Sequence, residues 1–401
     1  MLANDKHTSY LDHLACSRCG ETYTPDSLQT TCPACGRPLL ARYNLDAARA
    51  ALDRDRLAAR SDRMWNWREL LPVRDPEHIV YLGEGGTPMF HARRLGETLG
   101  LPHLWIKDEG LNPTGSFKAR GMAVAVSRAI ELGAREFVVP TAGNAGAAAA
   151  AYGARGGAPV HVYMPKDAPG AHRAGAQAAG AEVILVDGLI HDAGRLAAAH
   201  AKERGWFDLS TTREPYRVEG KKTMGYEIAH QLDWRAPDVV VYPTGGGTGL
   251  IGIWKAFDEM QTLGWIGARR PRLVAVQADG CAPVHRAFHT GAERCQVWAG
   301  ARTDAAGLRV PKPFADEMIL DVLRCSGGVS VVVSDDAMRD AQDWMGRREG
   351  ISACLEGAAT VAALRTLLEA GWLQAGEHIV CLNTGASLTR ALPLQQDGVD
   401  G

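Results

Sequence analysis

The chain has 401 residues, 46% of them hydrophobic and 22% charged, with a formal net charge of −2. That length accommodates two or three domains with ample core. The near-neutral charge gives no electrostatic ground for nucleic acid or an anionic membrane as partner, no apolar run reaches transmembrane length, and the polar opening MLANDKHTSYLDHL holds no secretory apolar stretch, so a cytoplasmic protein is expected.

Four cysteines stand near the start, as Cys16-x2-Cys19 and Cys32-x2-Cys35. Each pair is followed by a glycine, Gly20 and Gly36, which permits the tight turn that brings two sulfurs onto one ion. Four thiolates from two such turns make a closed tetrahedral site. That is the pattern of a structural zinc ribbon, here over residues 1–45, with iron the other ion such ligands suit. The segment has few large apolar side chains, so a metal is expected to replace a core. Its knuckles carry only Arg18 and Arg37, without the basic, aromatic-rich face that nucleic acid requires. The remaining cysteines, Cys281, Cys295, Cys325, Cys354 and Cys381, are scattered and read as packing residues in a reducing compartment.

Residues 46–75 are charged and helix-prone up to Pro72, and 80–89 are glycine-rich and turn-like. From there helices and strands alternate. The pattern predicts a helix over Ala119–Leu132, a strand over Glu136–Pro140, a helix over Ala145–Arg155, a strand over Val160–Met164 and a helix near 168–179. A strand over Glu182–Val186 and a helix over Asp192–Glu203 follow, and 205–235 reads as loop-rich. The rhythm resumes with a strand over Asp238–Tyr242, a helix ending near Gly264, and strands over Arg272–Gln277, Val329–Val333 and His378–Leu382. Helices are predicted over 335–348 and 355–370. Short β-branched strands alternating with helices imply parallel sheets. The expectation is an α/β fold: two open twisted parallel-sheet domains with a ligand cleft between them, preceded by the small ribbon.

Four turns carry candidate chemistry. Pro113-Thr114-Gly115-Ser116-Phe117-Lys118 sets a lysine after a Gly-Ser turn at a helix start, where the fold can aim its amine at a carbonyl for Schiff-base chemistry. Thr141-Ala142-Gly143-Asn144 lies between a strand and a helix, and offers backbone N–H groups and the Asn144 amide to an oxyanion. Gly245-Gly246-Gly247-Thr248-Gly249 permits successive N–H groups to wrap one phosphate, with the Thr248 hydroxyl as a further donor. The spacing is poor for a dinucleotide fingerprint and favours a single phosphate; a nicotinamide-dependent dehydrogenase would need a proper dinucleotide turn and a ribose acid, and neither is seen. Thr384, after the last strand, can bond a ring nitrogen as a neutral donor. Singly these are common turns. Together they match the aldehyde, phenolate, phosphate and pyridine of pyridoxal 5′-phosphate.

On these motifs the chain resembles the fold-type II pyridoxal-phosphate enzymes, and among them the threonine synthase family. The resemblance runs over roughly residues 80–390, through NPTGSFKARG around Lys118, PTGGGTGLIG from Pro243, Glu214–Thr223 (EPYRVEGKKT) and Leu355–Thr360. The cysteine ribbon resembles one on a subset of threonine synthase-like proteins and on cysteate synthase. The resemblance implies a large domain of 46–119 and 216–401 and a small one of 120–215. It implies that Lys118 carries the cofactor and shuttles protons, and that Asn144, Gly245, Gly246, Gly247, Thr248, Gly249 and Thr384 hold it. Ser116, Thr141 and Arg217 would contact substrate, Arg217 because guanidinium suits phosphate or carboxylate. The chain departs from the family pattern at Ala119, Ala145, Thr211 and Thr212. The implied activity is a carbon–oxygen lyase making L-threonine and phosphate from O-phospho-L-homoserine and water, as a homodimer, with Zn2+ structural at Cys16, Cys19, Cys32 and Cys35. The alternatives are β-elimination or β-replacement, of the threonine/serine dehydratase or cysteate synthase kind, and a non-catalytic zinc-ribbon regulator.

Overall fold

The computed structural model describes residues 9–168, 170–188 and 190–387. The first eight residues of the polar opening lie outside the described residues.

The cysteine segment forms a small antiparallel sheet from β1 (Leu11–Cys16), β2 (Thr22–Tyr23) and β3 (Leu39–Tyr43), in the order β2-β1-β3. Gly20 and Gly36 both have positive φ, 75° and 70°, as the knuckle turns require. The charged segment after it breaks into α1 (Leu45–Ala51), α2 (Arg54–Ala58) and a 3-10 stretch over Arg63–Leu70. The helix-prone reading of 46–75 therefore held only in pieces. Leu52 is extended, and the Asp53 carboxylate accepts the N–H groups of Asp55 and Arg56 to start a new helix.

The next elements are β4 (Met89–His91), α3 (Arg93–Leu99) and β5 (Leu104–Asp108). The chain then crosses into a second sheet through α4 (Lys118–Glu131), β6 (Phe137–Pro140), α5 (Asn144–Arg155), β7 (Val160–Pro165), α6 (Gly170–Ala178), β8 (Glu182–Val186), α7 (Ile190–Arg204) and β9 (Phe207–Asp208). It returns through α8 (Arg217–Gln231), β10 (Val239–Pro243), α9 (Thr248–Thr262), β11 (Arg272–Ala278) and α10 (Pro283–His289). The remainder is α11 (Asp316–Cys325), β12 (Val329–Val333), α12 (Asp335–Trp344), α13 (Leu355–Glu369) and β13 (Ile379–Asn383). The larger sheet has the order β12-β11-β10-β13-β5-β4, parallel except for β4 at its edge. The smaller sheet, β8-β7-β6-β9, is parallel throughout. Helices cover both faces, which suits strands as apolar as Val239–Val241 and Ile379–Leu382. Among the described residues no helix is long and apolar enough to cross a membrane.

Two further regions, both beside the lysine helix α4, differ from the reading of the sequence. The segment 205–235 holds α8, a helix buried almost end to end, from Arg217 to Ala229. Its charges read as loop, but Glu219, Lys222 and Glu227 are neutralised inside the protein. Glu219 meets Lys222 at 2.7 Å and Lys255 at 2.8 Å, and Glu227 meets Arg120 at 2.6 Å and Lys107 at 2.7 Å. Strand β5 was overlooked for the same reason. Its Lys107 is fully buried, donating to Glu227 and, at 2.6 Å, to the Thr87 carbonyl.

The ribbon is seated on the larger sheet's helices. Arg37 bonds Glu317 at 2.9 Å and reaches Asp316 at 3.8 Å, at the start of α11.

Candidate active site

Four helix N-termini carry candidate residues, on helices packed α5 against α4, α4 against α8 and α8 against α9. Lys118 begins α4, Asn144 begins α5, Arg217 begins α8 and Thr248 begins α9. A helix start is the positive end of a dipole, which favours anions; at α8 the Glu214 carboxylate already takes the Tyr216 and Arg217 N–H groups, whereas α9 has no side-chain cap.

The lysine loop is stitched to the turn after β13. The Phe117 N–H donates to the Thr384 carbonyl at 3.0 Å, and the Ala386 N–H to the Gly115 carbonyl at 2.9 Å. These bonds hold Lys118 and Thr384 in one place although they lie far apart in the chain. Lys118 is half-buried, its Nζ 4.1 Å from the centre of the Phe117 ring. Burial first, and the Arg217 cation second, pull its ammonium down to about 8. Thr384 is buried, with its hydroxyl 3.8 Å from the Cys354 sulfur, which itself accepts the Gly357 N–H and caps α13. The packing role read for Cys354 is thus incomplete: it stands beside Thr384, a placement that needs the fold of 350–355 to be known.

Thr141 and Asn144 sit at the β6–α5 turn. The Thr141 hydroxyl oxygen accepts the Gly143 N–H at 3.0 Å, and the Asn144 amide lies 3.5 Å from where a Cβ on Gly385 would stand. The glycine run Gly245–Gly249 joins the end of β10 to the start of α9. Gly247 has φ 71° and starts α9 without a side-chain cap, leaving the helix's first N–H groups open. A Cβ there would clash with Ile319 of α11, so backbone alone can line this turn. A Cβ on Gly246 would stand 3.2 Å from the Thr211 methyl, so the β9–α8 connection faces the loop.

Arg217 is almost fully buried. One terminal nitrogen, Nη1, donates to the Leu209 carbonyl at 2.6 Å, while Nε and Nη2 have no hydrogen-bond partner. Burial pulls its guanidinium down from the usual range, against the pull of Glu214 and Asp208. Glu214 accepts the N–H groups of Tyr216 and Arg217 at 2.7 and 3.1 Å, which fixes the start of α8, and burial pushes its carboxyl up to about 7. Ser116 Oγ is buried without a partner as well. Sequence reasoning missed Lys221, one turn further along α8. Its Nζ is buried, 5.2 Å from the centre of the same Phe117 ring, with no hydrogen-bond partner. Only the burial of α8 distinguishes it from an ordinary surface lysine.

Unpaired buried donors and a lysine of lowered pKa mark a site built for an external anionic molecule. The donor set suits pyridoxal phosphate: an amine for its aldehyde, an open helix start for its phosphate, and polar side chains at Asn144 and Thr384. The four knuckle sulfurs form a separate cluster, all within 4.8 Å of one another, with Cys16 and Cys35 at 3.3 Å and Cys19 and Cys32 at 3.7 Å. Thiolates about 2.3 Å from a tetrahedral ion stand roughly 3.8 Å apart, so the cluster fits zinc.

Comparisons with known proteins agree with this geometry. Residues 80–385 match the family described as pyridoxal-phosphate dependent enzyme. Threonine synthase of Methanocaldococcus jannaschii is 37% identical over 93% of this chain and 92% of its own. That of Methanosarcina acetivorans is 37% identical over 93% and 91%. The Mycobacterium tuberculosis enzyme is 34% identical over 80% and 87%. Among solved structures, maize serine racemase superposes with a TM-score of 0.65 at 22% identity, over 75% of this chain and 88% of that one. The diaminopropionate ammonia lyase of Escherichia coli does so with 0.66 at 20% identity, over 77% and 86%, and these two likenesses speak for the fold alone. The match over most of its length makes this chain a member of the pyridoxal-phosphate dependent enzymes, in the threonine synthase family.

Proposed function

We propose that the protein converts O-phospho-L-homoserine and water to L-threonine and phosphate. The observation that carries this reading is Arg217, buried beside Lys118 with two guanidinium nitrogens unpaired. A guanidinium held so is matched to a phosphate on the substrate's far end. Bound pyridoxal phosphate supplies the electron sink that makes carbanion chemistry at the amino acid's α-carbon accessible. Lys118 holds the cofactor and, once its amine is released, takes the α-proton on Nζ. Gly245 to Gly249, with the Thr248 hydroxyl, would hold the cofactor's phosphate, and Asn144 and Thr384 would supply polar side chains to its ring. As a neutral hydroxyl, Thr384 would leave a ring nitrogen there unprotonated. Ser116 and Thr141 line the substrate's side, and Arg217 draws the phosphate away as it leaves. The test is direct: phosphate and threonine release from O-phospho-L-homoserine by the purified holoenzyme. Keto-acid release from serine or threonine without phosphate release would assign the chain to β-elimination instead.

The amine's state gives a pH prediction. Capture of the cofactor by apoprotein needs neutral Nζ, and Lys118 is lowered to about 8. The capture rate should therefore rise with pH and level off above about 8, followed by visible absorbance. An ordinary lysine, with a pKa of ~10.4, would give a rate still climbing there.

Cys16, Cys19, Cys32 and Cys35 are proposed to hold one structural Zn2+. Stripping it with a chelator should free the ribbon from α11 and lower the melting temperature by about 5 °C or more. Metal analysis before and after, paired with calorimetry, checks this; an unchanged melting point in metal-free protein contradicts it.

A further inference from the structure

Lys107, Lys222 and Lys255 are all buried, and each is paired with acid. Lys107 meets Glu227 at 2.7 Å, Lys222 meets Glu219 at 2.7 Å, and Lys255 meets Glu219 at 2.8 Å. Lys221 is as buried as they are, yet its Nζ has no hydrogen-bond partner. The charges in its range are the cations Arg217 and Lys118 and a single carboxylate, Glu214. That carboxylate is already engaged by the backbone N–H groups of Tyr216 and Arg217. Burial and the two cations push the Lys221 ammonium well below its usual range. The fold nonetheless leaves space for it: a Cβ on Gly121 would stand 2.6 Å from Nζ. Gly121 lies one turn beyond Lys118 on α4, and Lys221 one turn beyond Arg217 on α8. The two turns face each other, so an unpaired amine is held near a guanidinium whose Nε and Nη2 are unpaired. A buried cation without a partner is costly, and the cost is offset when a ligand brings the missing charge.

We propose that Lys221 is a specificity-determining residue, the second cation of the substrate's anion pocket, acting with Arg217 to select a doubly charged group such as a phosphate monoester over singly charged or neutral ones. The inference rests on the functional reading above for its substrate, but not for its anion. Two cations match a dianion, and a phosphate monoester carries nearly two negative charges at neutral pH. A sulfate ester or carboxylate carries one and would leave one cation uncompensated.

The test uses the holoenzyme, in which the cofactor's own phosphate site is filled, with inorganic phosphate and a sulfate ester of homoserine as probes. Lys221→Met keeps the length of the side chain and removes the charge; Lys221→Gln keeps a donor. The expected result is phosphate binding weakened about 10- to 100-fold in the Met variant. KM for O-phospho-L-homoserine should rise by a similar factor, discrimination against the sulfate ester should shrink, and the cofactor's visible band should stay unchanged. Unchanged phosphate affinity in either folded variant overturns the proposal. So does loss of the visible band with phosphate affinity kept, which would make Lys221 a cofactor contact. Failure of both variants to give folded holoenzyme overturns it too, because Lys221 would then serve the fold. If the wild type turns over no O-phospho-L-homoserine yet binds inorganic phosphate in a Lys221-dependent way, the functional reading fails and this inference stands.

Discussion

Lys118→Ala should abolish turnover while leaving the protein folded. Position 118 contributes no ion pair to the fold among the described residues, and α4 is held beyond it by Arg120, which bonds Glu109 at 2.6 Å and Glu227 at 2.6 Å. What the substitution removes is the one amine at the cleft that is both half-exposed and lowered to about 8. Loss of a proton-moving group alone costs on the order of 10²- to 10⁴-fold. On the role proposed for Lys118 the attachment of the cofactor goes with it, so activity should fall below detection. The visible band of lysine-bound cofactor should be missing from the variant, with an unchanged melting curve. A variant that kept the band would show that another amine holds the cofactor, and would remove the basis for every role assigned above.

Arg217→Leu has the second largest expected effect. The side chain bonds only the Leu209 carbonyl, so its loss frees one acceptor and one buried cation. Removing one partner of a buried charge pair typically costs about 2–5 kcal/mol. The prediction is a loss of kcat/KM for O-phospho-L-homoserine on the order of 10²- to 10³-fold, carried mostly by the phosphate-bearing substrate. Unphosphorylated amino acids should lose far less. Arg217 also depresses the Lys118 ammonium, so the variant should shift the pH midpoint of cofactor capture upward. Equal losses on phosphorylated and unphosphorylated substrates would mean that Arg217 serves the start of α8 and not the ligand.

Much of this was legible from the residue string. The βα turns at Asn144 and Thr248 were readable because each follows a run of β-branched residues and precedes small or apolar residues at helical spacing. The knuckle cysteines were readable because thiolate pairs followed by glycine have few other uses. The strand over 329–333 has the bounds its Val-Ser-Val-Val-Val pattern predicts. Helix α8 and strand β5 were not readable. Their charges look solvated in sequence, and only partners from elsewhere in the chain, such as Glu259 for Lys222 and Glu227 for Lys107, allow them to be buried.

The sequence by itself determined which chemistry this protein can attempt: one lysine, one bare-backbone turn, one terminal threonine and four thiolates, each recognisable from its neighbours because local backbone rules govern turns and caps. The tertiary structure alone decided which charged residues are left without a counter-ion. Whether a buried lysine is paired depends on residues far away in the chain, and pairing separates Lys222, held by Glu219 and Glu259, from Lys221, whose amine has no hydrogen-bond partner.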